Sequence, residues 1–116
     1  MKILILEDDP LQQFDITQSV IERGHSVVGP FSDVTAALDS CGGLLPDAAL
    51  IDYNLGGGMN SDRLADLLIA KNIPFVLATG YNRKHIAKRF SEVPILDKPY
   101  ADSDIVSAIE SLAVAQ

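Results

Sequence analysis

Five times along this chain, a short and unbroken apolar run ends abruptly and gives way to apolar residues at helical spacing. Ile3-Leu4-Ile5-Leu6 opens the series and Ser26-Val27-Val28-Gly29 comes next. Ala48-Ala49-Leu50-Ile51, Pro74-Phe75-Val76-Leu77-Ala78 and Pro94-Ile95-Leu96 complete it. A run apolar at every position fits a strand buried on both faces, which is the condition of a parallel sheet. Between the runs the spacing predicts helices. Pro10 suits a first turn, Leu11, Phe14 and Ile21 fall at helical intervals with Ile16 and Val20 widening the buried face, and Gly24 closes the helix. Ser32 is placed to cap a helix carrying Val34, Ala37, Leu38 and Cys41, which Gly42-Gly43 ends. Ser61 opens another with Leu64, Leu67 and Leu68 inward. A short basic helix is expected over residues 83–90, and a last helix from Asp102 or Ser103 buries Ile105, Ile109 and Leu112. Strict alternation implies an open, doubly wound parallel sheet with helices on both faces. Sites in such sheets lie beyond the carboxyl ends of the strands, near the point where strand order reverses.

Composition narrows the function classes. The 116 residues fit one domain over 1–116, without a linker, repeat or output domain, and 47% hydrophobic residues supply a core. A formal net charge of −7 argues against nucleic-acid binding, which needs a basic surface, and suits a cation or a basic partner. Cys41 is the sole cysteine, so an internal disulfide is excluded, and it reads as a small apolar helix residue in a reducing compartment. No apolar run approaches the roughly 20 residues of a membrane span, and no signal-peptide pattern opens the chain. A cytoplasmic location without membrane attachment is the expectation.

The residues at the strand ends form the decisive pattern. Glu7-Asp8-Asp9 ends the first strand, Asp52 the third, Thr79 the fourth and Lys98-Pro99 the fifth. A parallel sheet brings these residues to one edge. Carboxylates gathered there repel unless a cation or proton intervenes, and Mg²⁺, which prefers oxygen ligands and keeps some waters, resolves the repulsion. The set also holds the parts for phosphoryl transfer to a carboxylate. Asp52 can act as the nucleophile, Mg²⁺ and Lys98 can neutralise the phosphoryl oxygens, and Thr79 can donate a hydrogen bond to one of them.

With these residues in place the sequence resembles the receiver domain of two-component response regulators. The resemblance covers the whole chain. It rests on Ile5-Leu6-Glu7-Asp8-Asp9-Pro10, Leu50-Ile51-Asp52-Tyr53-Asn54-Leu55, Ala78-Thr79-Gly80 and Asp97-Lys98-Pro99-Tyr100, each at its own strand end. It implies a flavodoxin-like (βα)5 fold with strand order 2-1-3-4-5. It further implies that Asp52 is the phosphoacceptor and that a histidine kinase or histidine phosphotransferase is the donor. Asp8 is implied to bind Mg²⁺ directly, Glu7 through water and Asn54 through its backbone carbonyl, with Asp52 also in the metal set. Lys98 is implied to pair with the phosphoryl group, with a cis bond to Pro99. Asp9 lies one step past the acidic pair and is peripheral. In receivers the threonine turns toward the phosphoryl group and the face around the fourth helix and fifth strand rearranges, so the domain is a switch and not an enzyme.

Three departures from the family pattern matter. The aromatic residue that many receivers carry three positions before the lysine is Ile95 here. The loop after Asp52 reads Leu55-Gly56-Gly57-Gly58 in place of a Pro and an Asp-Gly pair, which raises the entropy lost on ordering it. Val76-Leu77-Ala78-Thr79-Gly80-Tyr81 is similar to a receiver subfamily with a Phe-Ala-Thr-Gly sequence, with Leu77 replacing the Phe. Tyr81 is expected to shield an acyl phosphate from water, and Tyr100 and Pro99 to join the switch. Arg83, Lys84, Lys88 and Arg89 form a solvated helix face or a docking face for an unknown downstream partner, with His85 beside them. His25 reads as structural.

Two other classes share parts of this pattern. An aspartyl-phosphate phosphohydrolase often uses an Asp-x-Asp pair, but Asp52-Tyr53-Asn54 puts Asn where an acid must transfer a proton. A flavodoxin-like electron carrier needs a hydroxyl- and Gly-rich loop after the first strand, where Glu7-Asp8-Asp9 would repel the flavin phosphate. Within the receiver reading, Met1 and the stop after the last helix favour a free-standing domain over one excised from a hybrid sensor kinase.

Overall fold

The computed structural model describes residues 1–53, 55, 61–80 and 86–114, with the side chains of 102, 113 and 114 excepted. Strands β1 (Lys2–Leu6), β2 (Ser26–Phe31), β3 (Ala48–Asp52), β4 (Phe75–Thr79) and β5 (Ile95–Asp97) alternate with helices α1 (Pro10–Glu22), α2 (Val34–Ser40) and α3 (Asp62–Ala70). A 3₁₀ turn, Lys88–Phe90, precedes β5, and helix α4 (Asp102–Val114) follows it. The five strands form one parallel sheet in the order β2-β1-β3-β4-β5. This is the flavodoxin-like architecture, and strand order reverses between β1 and β3. No helix among the described residues is long and apolar enough to cross a membrane.

Strand side chains alternate between two cores, as the pleat requires. Leu4, Leu6, Ala49, Ile51, Phe75 and Leu77 meet Val34, Ala37, Leu64, Leu68 and Phe90 on one face. Ile3, Ile5, Ala48, Leu50, Val76 and Ala78 meet Ile16, Val20, Ile105, Val106 and Ile109 on the other. The continuous apolar runs are thus two interleaved faces. Truncating one such residue, for instance Leu50→Ala, would cost about 2–5 kcal/mol.

Several local expectations are corrected. On α1 only Ile16 and Val20 are buried, whereas Leu11, Phe14 and Ile21 are 77%, 63% and 52% exposed. At 3.6 residues per turn these three lie on the side opposite Ile16 and Val20, and those two already fill the contact with the sheet. Asp33, not Ser32, caps α2, its carboxylate accepting from Ala36 N–H at 2.8 Å. Strand β2 continues through a cis Gly29–Pro30 bond to Phe31, which an edge strand tolerates. Gly29 has φ +100°, and a Cβ there would sit 2.8 Å from Phe31, so only glycine fits. The basic helix does not run through 83–90. Residues 83–85 lie outside those described, and Ala87 is extended (φ −56°, ψ 138°) before the 3₁₀ turn that buries Phe90.

Candidate functional site

Parallel pairing places the candidate residues along one sheet edge. Leu6 pairs with Ile51, Asp52 with Ala78, and Thr79 with Asp97, so Glu7, Asp52 and Thr79 stand at adjacent strand ends. Glu7, Asp52 and Thr79 are buried and Asp8 is exposed. Hydrogen bonds to the backbone fix Glu7 and Thr79. Glu7 N–H donates to Phe31 carbonyl at 2.9 Å, and Gln13 Nε2 donates to Glu7 carbonyl. Lys98 N–H donates to Thr79 carbonyl at 2.8 Å, which fixes the lysine beside β4. From there Lys98 Nζ reaches Asp52 Oδ2 at 3.0 Å and Glu7 Oε1 at 3.3 Å. The Lys98–Pro99 bond is cis, as the resemblance implies.

One ammonium therefore faces a cluster of carboxylates. Oxygens of Glu7, Asp8 and Asp52 all lie within 4.8 Å of one another. Three carboxylates against one ammonium leave an excess of two negative charges when all are ionised. Burial pushes Glu7 up to about 7, with the Asp52 charge adding to the rise while Asp9 N–H and Lys98 oppose it. Lys98 loses hydration, which would lower its value, but its hydrogen bond to Asp52 and the charges of Asp52 and Glu7 outweigh that and raise it. A hard divalent cation with oxygen ligands matches this donor set, because it supplies the charge that the cluster lacks.

The remaining candidates divide. Asn54 and Tyr81 lie outside the described residues, as do Gly56, Gly57, Gly58 and His85. Ile95 is half-buried, pairs with Leu77 and packs on the α2–α3 face of the sheet. Tyr100 is half-buried against the opposite core and Pro99 is exposed. Asp9 caps α1, its carboxylate accepting from Leu11 N–H at 3.0 Å. His25 contacts α4, its Nε2 lying 2.9 Å from Glu110. Reasoning from the sequence overlooked Tyr53, which is 2% exposed and bonded through its hydroxyl to Ala87. Its only signal was an aromatic residue directly after the strand-end acid.

No protein-family model matches the sequence. The chain is 34% identical to SdrG from Sphingomonas melonis Fr1, with 98% of this chain and 96% of that one covered at a TM-score of 0.83. A structure of SdrG in its BeF3-activated conformation matches at 35% identity and a TM-score of 0.78. The signal receiver domain of a modulated diguanylate cyclase from Desulfovibrio desulfuricans G20 is 28% identical, covering 98% of this chain and 94% of that one at a TM-score of 0.83. The phyllosphere-induced regulator PhyR of Methylorubrum extorquens is 30% identical over 116 residues, which are 97% of this chain and 43% of that protein. The chain spans about half the length of the curated relatives it matches. The sheet order, the strand-end acids and these relatives agree, and the chain belongs to the receiver-domain family of response regulators.

Proposed function

We propose that residues 1–116 form a phosphoacceptor domain that takes a phosphoryl group onto Asp52 from a histidine kinase or histidine phosphotransferase. The observation that carries this is the pairing of buried Asp52 with Lys98 Nζ at 3.0 Å, inside a cluster of three carboxylates at the reversal point of the sheet. An Asp52 carboxylate oxygen attacks the phosphorus of a phosphohistidine. The new O–P bond replaces the P–N bond, and the imidazole leaves with the electron pair. Lys98 offsets charge on the transferred group from a position already fixed by Thr79 carbonyl. Thr79, at the end of β4, offers its hydroxyl to a phosphoryl oxygen. Mg²⁺ held by Glu7, Asp8 and Asp52, with the Asn54 carbonyl implied by resemblance, would supply further positive charge to those oxygens.

The domain's own chemistry is then limited to gaining and losing this phosphoryl group, and its output is contact with a downstream protein in the cytoplasm. The relative solved in a BeF3-activated conformation supports the reading, since BeF3 stands in for a phosphoryl group. Incubation with a small acyl-phosphate donor tests it by intact mass. Wild type should gain one phosphoryl group only with Mg²⁺, and Asp52→Asn should gain none. Labelling that persists in the variant, or needs no metal, would sink the proposal.

A further inference from the structure

Tyr53 directly follows the acceptor residue, and its polar atoms are committed to three other segments. Its N–H donates to the Ala78 carbonyl of β4 at 2.9 Å. Its carbonyl accepts from Ser61 N–H at 3.2 Å and Ser61 Oγ at 3.4 Å, where α3 begins. Its hydroxyl accepts from Ala87 N–H at 3.2 Å and donates to the Asp62 carboxylate. Beyond Asp62 the contacts run outward. Arg89 Nη2 lies 3.6 Å from Asp62, and Arg89 forms a two-point pair with Asp66 at 2.8 and 3.0 Å. The guanidinium also stacks on Phe90, 4.6 Å from the ring centre, and about half of the Arg89 and Asp66 side-chain surface is exposed.

We propose that Tyr53 is a positioning residue whose hydroxyl couples the state of Asp52, through half-buried Asp62, to the exposed Arg89–Asp66 pair. The inference rests on Asp52 being the phosphoacceptor. A buried ring in a close-packed core moves with its backbone and not independently of it. Its hydroxyl holds Ala87 and Asp62 because releasing them would leave the polar atom of a residue only 2% exposed without partners. Burial first, and Asp62 second, push the phenol upward, so it stays a donor. Any displacement of the Asp52 backbone therefore reaches the 3₁₀ turn and α3 together. Ile95, at the position where many receivers carry an aromatic residue, is aliphatic and has no side-chain hydroxyl with which to make such a link. The path is one contiguous chain of hydrogen-bonded and ion-paired groups.

Tyr53→Phe keeps the ring and deletes only the hydroxyl. Amide chemical shifts read with Mg²⁺ and BeF3 would separate occupancy, reported by Thr79 and Lys98, from transmission, reported by Ala87, Arg89 and Phe90. In wild type both groups should shift. In Tyr53→Phe the Thr79 and Lys98 shifts should persist while most of the Ala87 and Arg89 response is lost. Asp62→Ala, which leaves the tyrosine intact, should weaken the same response. Equal Ala87 and Arg89 responses in wild type and Tyr53→Phe would overturn the inference and leave the acceptor site standing. No shift at Thr79 or Lys98 in wild type would overturn both.

Discussion

Two charged clusters sit at opposite ends of the sheet, and each ties together residues distant in sequence. At the carboxyl edge Lys98 faces Glu7 and Asp52, while at the other edge Arg23 and His25 both face Glu110. The second cluster gives two donors to one carboxylate whose side chain is a third exposed. Hydrogen bonding from His25, then the charge of Arg23, draws Glu110 below the usual carboxylate range. The first gives one donor to a buried excess of carboxylates and pushes Glu7 the opposite way. An arrangement that is partly exposed, with donors enough for its one carboxylate, fastens α4 to the start of β2 and contributes modestly. One that is buried and unbalanced works against folding and makes sense as a place for added positive charge.

The contrast can be broken most sharply at Lys98. Lys98→Ala should slow phosphoryl uptake from a small donor by about 100-fold, the scale on which lost transition-state charge stabilisation acts. Rates from intact-mass time courses check this, and an unchanged rate would remove the lysine from the mechanism.

Glu7 offers a second, smaller handle through pH. Its folded value of about 7 exceeds the ordinary 4.5, so the metal-free folded state holds a proton that the unfolded state has released. Stability should therefore fall as pH rises from 4.5 to about 7, by roughly 3 kcal/mol at most from this group. Thermal denaturation of Glu7→Gln should show a flatter pH dependence across that window. Added Mg²⁺ should restore most stability at the upper end, where Glu7 is ionised. A wild-type curve that rises through the window would contradict the assignment.

The smallest effect belongs to the opposite edge. His25→Gln should lower the melting temperature slightly and leave phosphoryl uptake unchanged. A loss of uptake there would mean that the two ends are coupled and not separate.

The strands and the acidic edge were legible because each depends on local pattern. Runs such as Ala48-Ala49-Leu50-Ile51 declare double burial, and the acids that end them need only parallel pairing to converge. The orientation of α1 was not legible, since apolar residues occupy both sides of that helix and tertiary space selects Ile16 and Val20. The basic helix failed for a related reason. Phe90 is drawn into the core and Arg89 onto Asp66, and both contacts are long-range. Tyr53 was hidden most deeply. Its partners Asp62 and Ala87 come from two other segments, and no spacing in the sequence announces them.

Everything proposed for the carboxyl edge depends on Asp52, and no other residue, receiving the phosphoryl group. Borohydride reduces an acyl phosphate to the alcohol, which would leave homoserine at the acceptor position for peptide mass mapping. After treatment with donor and Mg²⁺, homoserine should appear at position 52 and not at Glu7, Asp8 or Asp9. Reduction at another carboxylate, or at none, would contradict the assignment of Asp52.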